Sequence, residues 1–133
     1  LALYVVRDKG DKSEEMMSGQ TFHPGDRLRF LVDTPQAGYV RIIGQEHSGN
    51  LYACYPASEA ATAPSVPQGK RIVLPTAVEL DHTLGREWLH YLHCSKPLAH
   101  GEIHLKAGQL QHPSSCRKVS FLLHKRPRQA RSP

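Results

Sequence analysis

The feature that most constrains this 133-residue sequence is a two-residue rhythm. In Arg27-Leu28-Arg29-Phe30-Leu31-Val32-Asp33, the side chains of Leu28, Phe30 and Val32 share one face, while Arg27, Arg29 and Asp33 share the other. That is the period of a half-buried strand. Pro24-Gly25-Asp26 before it and Thr34-Pro35 after it supply the breaks, because proline fixes φ and removes a donor while glycine tolerates positive φ. Tyr39 to Gln45 and Leu51 to Tyr55 are two further strand-prone runs, and Ser48-Gly49-Asn50 between them reads as a hairpin turn.

The opening LALYVV, Arg71 to Leu74, Trp88 to Cys94 and Val119 to His124 are β-branched or aromatic runs of strand length. PASEAATAPSVPQG, residues 56–69, is a long connection without apolar periodicity. Only Ala99 to Gln111 offers a helix, weakened by Gly101 and Gly108. About seven short strands punctuated by Gly and Pro, with at most one short helix, predict an all-β fold: an antiparallel, immunoglobulin-like β-sandwich burying the inner faces of two sheets. The length favours one domain over residues 1–126, followed by a basic, Pro-rich tail or linker over residues 127–133.

Apolar content of 39% with 22% charged residues is globular in character, and no run is long and apolar enough for a membrane helix, so no transmembrane segment is expected within these residues. The first residues lack a basic n-region and a small-residue cleavage site, and read as part of a longer protein rather than a secretory signal. The net charge of +5 is unevenly placed: residues 1–102 hold 10 basic and 12 acidic residues, whereas residues 103–133 hold seven basic and no acidic ones. The tail KRPRQARSP cannot bury enough apolar surface to fold alone and reads as a solvated arm. Without interleaved aromatic residues it is a poor stacking platform, and no nucleic acid is expected as partner.

The order GD-x-L-R-F-x-V, GYVRIIG, a short turn, LYACYP, then VPQGKRIVLP and LGREWLHYLHCSKPL resembles the bacterial family called domain of unknown function 4384, over roughly residues 3–126. The family's G-D, G-Y, G and Tyr/Phe-Pro positions correspond to Gly25-Asp26, Gly38-Tyr39, Gly49 and Tyr55-Pro56, which the resemblance assigns to structural turns. Ala57 stands where a common form of the family has Asn. The resemblance implies a β-rich module joined to kinase, caspase-like peptidase or zinc-finger anti-sigma regions, sometimes across a membrane segment, and is nearly silent about chemistry.

The residues themselves carry few chemical signals. Asp26 follows a Pro-Gly turn, where an aspartate accepts nearby backbone N–H groups. Tyr39, Tyr52 and Tyr55, with Ser48 and Asn50 of the turn, are candidates for a ligand or partner surface, since tyrosine offers an apolar face and a polar tip. Tyr39 and Tyr55 also read as residues at the edge of the core. Among the nine histidines, His90, His93 and Cys94 sit close in sequence, but on a strand His93 faces away from the other two. His100 and His104 would meet only on a helix, with the glutamate at the wrong offset for HExxH. A metal site is not expected. Cys54, Cys94 and Cys116 form no CxxC pair. A Cys94–Cys116 bridge in an oxidising compartment would stabilise the domain by about 3 kcal/mol; three reduced thiols are the other reading. Asp81, Glu79 and Glu87 in VELDHTLGREW form a loose carboxylate cluster, Asp81 having the look of a turn residue, and no acid/base pair stands out.

These readings lead to a non-enzymatic expectation: an interaction or sensory module of a larger bacterial regulatory or cell-envelope protein, without cofactor, whose partner is another protein or another module of the same polypeptide. An extracytoplasmic position is favoured over a cytoplasmic one. Recognition would use a loop end or an exposed strand edge. Two other readings remain: a small metal-dependent or Cys/His hydrolase using His90, His93, His100, His104 and Cys94, and a nucleic-acid binder acting through the basic tail.

Overall fold

A computed structural model describes residues 1–128. Among them twelve strands follow one another: β1 (Ala2–Lys9), β2 (Lys12–Met16), β3 (Thr21–Phe22), β4 (Arg27–Thr34), β5 (Gly38–Glu46), β6 (Leu51–Tyr55), β7 (Ser65–Val66), β8 (Gly69–Glu79), β9 (Gly85–Cys94), β10 (His104–Lys106), β11 (Gln109–Gln111) and β12 (Cys116–Lys125). One sheet runs β2-β1-β4-β8, the other β3-β12-β9-β5-β6, with β7 paired to β5. Without the short strands these are β1-β4-β8 facing β12-β9-β5-β6, the arrangement of an immunoglobulin-like sandwich. The seven strands read from alternation are these seven, and the five additional ones are short.

Alternation puts Leu28, Phe30 and Val32 of β4 and Phe121 and Leu123 of β12 into one core, where they meet Val5, Val40, Ile42, Leu89 and Tyr91. A second core lies on the outer face of the larger sheet, where Ile43, Leu92, Cys94 and Cys116 are covered by Leu98, Ile103 and Leu110. The β5 and β9 strands are therefore buried on both faces, which explains their near-continuous apolar sequence.

Where the structure departs from the local reading, position in the sheet supplies the reason. Ala99 to Gln111 is no helix: one 3₁₀ turn at His100–Glu102 leads into the β10–β11 hairpin. That hairpin turns through Ala107 and Gly108, both with positive φ, and lays Leu110 on the sheet. The β8 strand runs through Pro75 because it is an edge strand, where a missing N–H leaves no ladder bond unmade. The β2 strand, KSEEM, is an exposed charged edge whose sequence shows no apolar alternation. Of the tail expected over 127–133, residues 129–133 lie outside the described residues. Arg128 is described and reaches back to Asp26. No helix of the described residues is long and apolar enough to cross a membrane.

Candidate functional site

Three polar features stand out against this framework. The first lies at one end of the sandwich, where the inward face of β9 ends in Glu87 and that of β12 in Lys125, each 2% exposed. Two strands whose apolar residues point inward carry their last inward residue as a charge, so the charges must meet each other. The Lys125 ammonium contacts Glu87 and donates to Asp81 at 2.5 Å. The Tyr52 hydroxyl donates to the second Glu87 oxygen at 2.6 Å. Burial, together with the nearby Cys54, Glu87 and Glu46, raises the Tyr52 hydroxyl well above its usual range, so it stays a donor. Lys125 is pulled down by burial, but its hydrogen bonds to Asp81 and Glu87 outweigh this and hold it charged. The hydrogen bond from Lys125 likewise lowers Asp81. A cavity of about 220 Å³ opens beside these groups, with Glu46, Asn50 and Glu79 also on its walls.

The second feature is a groove of about 440 Å³ on the outer face of the larger sheet, bordered by Trp88, His90, Gln45, Gln109, Lys118 and Ser120. Trp88 is 36% exposed and stacks on His90, with centroids 6.5 Å apart. The Gln45 amide N–H₂ donates to the Gly108 carbonyl, so its oxygen is left to accept from His90 Nε2–H at 2.8 Å. His90 Nδ1 then accepts the Ser120 hydroxyl, also at 2.8 Å. Burial, helped by the charge of Lys118, lowers His90 to about 4, and the ring is neutral at pH 7.

The third is the outer edge of β12. Along it the Leu122 N–H donates to Ser18 Oγ and the Leu122 carbonyl accepts from Gly19 N–H, while His124 N–H donates to the Gln20 carbonyl. Even-numbered residues of β12 therefore aim their backbone groups at this edge and odd-numbered ones at β9. The β3 strand pairs only with His124 and Lys125. The backbone groups of Lys118 and Ser120 consequently face an edge that β3 does not reach. Beside them, between the two sheets, runs a mainly apolar cleft of about 290 Å³ lined by Leu3, Met16, Met17, Val119 and Phe121, together with Tyr4, Glu15, Ser18 and Ser120. Met17 is 63% exposed there.

The family model for domain of unknown function (DUF4384) matches residues 21–97, more than half of the chain. This chain belongs to that family. No curated protein and no solved structure matches it. In this DUF4384 domain, Tyr52, Asp81, Glu87 and Trp88 lie inside the matched span, whereas all of β12 lies beyond it.

The residues singled out in the sequence are distributed differently from a common surface. Tyr52 and Tyr55 pack into the core between the sheets, while Tyr39 is half-buried against the other core. The three tyrosines therefore do not line one face, and only the turn residues Ser48 and Asn50 are exposed. Asn50 hydrogen-bonds Glu46 and borders the charged cavity. Gly25 and Gly49 have positive φ, and Pro56 follows a cis peptide bond. Asp26 is buried and accepts the His23 N–H at 2.9 Å while facing Arg7 and Arg128, a local clamp on its turn. Gly38 has another reason to be glycine: a Cβ there would lie 2.6 Å from the His93 ring. Cys94 and Cys116 face each other directly across β9 and β12 and are joined by a disulfide, while Cys54 is free and buried.

The long connection over 56–69 is anchored rather than free. Within it β7 pairs with β5, Ala63 is buried, and the Ala61 carbonyl accepts from Arg41, whose guanidinium is fully buried beneath it. Of the histidines, His90 joins the outer groove and His93 points inward, where it bonds the Gln36 carbonyl. Among the described residues, no three His, Cys, Asp or Glu side chains are placed to share a metal ion. In the sequence Asp81, Glu79 and Glu87 stand out as chain neighbours, whereas Lys125, which completes their cluster, does not. The one local signal for it was an inward position in β12 occupied by a charge. Trp88, the single tryptophan, reads in the sequence only as a strand residue, and its stacking on His90 comes from the fold.

Proposed function

We propose that this domain is a non-catalytic recognition module that captures an extended peptide segment as an added strand beside β12. The observation carrying this reading is the stretch around Lys118 and Ser120, where backbone groups face an open edge next to an apolar cleft. An added strand satisfies the backbone groups and drops alternate side chains between Val119, Phe121, Leu3 and Met16; its other side chains turn toward the outer groove that Lys118 and Ser120 also border. The segment it fits is therefore extended and apolar at every second residue. The source is another protein or another module of the same polypeptide, in a bacterial regulatory or cell-envelope protein.

A non-catalytic role is supported by the way the reactive residues are committed. Cys94 is bonded to Cys116 and offers no thiolate, and His90 and His93 lie on opposite faces of β9. Selection of displayed peptides against the whole chain tests the proposal. Enriched sequences should alternate apolar and polar residues, protect the Lys118 and Ser120 amides from hydrogen exchange, and lose binding in Val119→Asp. Tight peptides that leave both amides unprotected, or that bind Val119→Asp equally well, would overturn it.

A further inference from the structure

We infer that Lys125 and Asp81 form an intramolecular amide cross-link, with Glu87 carrying the protons, so that the end of β12 is covalently tied to the turn following β8. Such a bond needs an amine, a carboxyl group in contact with it and a proton carrier shielded from water, all held in place by the fold. The three are together here. Lys125 Nζ lies 2.5 Å from Asp81 Oδ1 and also contacts Glu87, while Glu87 is oriented by the Tyr52 hydroxyl at 2.6 Å.

The step balances without an added reagent. The ammonium passes one proton to the Asp81 carboxylate, giving a neutral amine and a neutral acid. The Nζ lone pair then attacks Asp81 Cγ, forming the C–N bond. Glu87 removes a second proton from nitrogen and delivers it to the departing hydroxyl, so the C–O bond breaks and one water leaves. Asp81 is more than half exposed on its other side, which gives that water a way out. The remaining amide N–H still faces Glu87, so that carboxylate keeps a donor after the reaction.

Two opposing effects set the rate. The mutual hydrogen bond raises Lys125 and lowers Asp81, which favours the ion pair and makes the neutral pair scarce. Against this, fixed contact between reacting groups is worth an effective concentration of about 10⁵–10⁸ M. The bond accordingly forms slowly, after folding has brought the three groups together. With the disulfide at Cys116 and the cross-link at Lys125, β12 is covalently held at both of its ends. The cross-link forms whether or not a strand is captured beside β12, and it changes the mass of the chain rather than its binding.

The test is the intact mass of the full 133-residue chain, purified, aged at neutral pH and then reduced to return the hydrogens lost at the disulfide. The expected mass is the sequence mass less one water. A tryptic digest should contain a branched peptide joining residues 72–86 to residues 119–128, uncut after Lys125 because of the cross-link and after Arg126 because Pro127 follows it. Asp81→Asn should lose ammonia in place of water, whereas Asp81→Ala and Lys125→Arg should keep their full sequence masses. Glu87→Gln should remain folded by circular dichroism and keep its full mass. Aged, folded wild-type protein at its full sequence mass would overturn the inference, and loss of water from Glu87→Gln at the wild-type rate would overturn the part given to Glu87.

Discussion

Gly44 decides whether Tyr52 can reach Glu87. A Cβ at position 44 would lie 2.0 Å from the Tyr52 ring, too close for any side-chain adjustment that leaves the ring in place. Gly44→Ala should therefore displace the ring, break its hydrogen bond to Glu87 and destabilise the domain by about 2–4 kcal/mol, read from the denaturant midpoint. His90 supports a different prediction. Its folded pKa of about 4 is below the ordinary 6.5, so the unfolded chain binds the proton more readily. Stability is complete above pH 6.5 and falls as the pH drops toward 4, by about 2–3 kcal/mol from this one group. Replacing His90 with Gln should flatten that decline when unfolding is followed between those two pH values. At this scale the sequence was legible where the cause was local: the turn role of Asp26 and the glycines with positive φ follow from neighbouring residues. The hydrogen bond from Tyr52 to Glu87 has no local signal, because its acceptor lies 35 residues along the chain.

The β12 strand shows how an element acquires a role that its own sequence does not state. The alternation of Val119, Phe121 and Leu123 identifies a strand with one buried face. It says nothing of which neighbour takes each edge. That β9 pairs along its whole length while β3 meets only its last residues is settled by packing. The β8 strand is the reverse case, since Pro75 shortens it on paper and an edge position restores its length. The disulfide links two such elements. Closing a loop of 22 residues restricts the unfolded chain, so reduction should lower stability by about 3 kcal/mol, checked by chemical denaturation with and without a reductant. Burial raises the Cys54 thiol and withdraws it from exchange with the released cysteines, so the loss should reverse on reoxidation.

Across the whole molecule, one core draws side chains from both sheets, and a second core fastens the β10–β11 hairpin to the outer face through Leu110. Far-ultraviolet circular dichroism, which follows the sheets, and the fluorescence of Trp88 should therefore be lost together in a single transition. Two separated transitions would show that the two cores fold independently. The sequence by itself determined that this chain is a two-layer β protein, and which side chains of its principal strands point inward, because alternation and turn chemistry act over a few residues. Tertiary structure alone decided which strands became edges, whether Cys94 and Cys116 came within bonding reach, and that Lys125 came to lie between Asp81 and Glu87. Such pairings depend on the neighbour each strand acquires across the sheet, and a two-residue repeat carries no label for that neighbour.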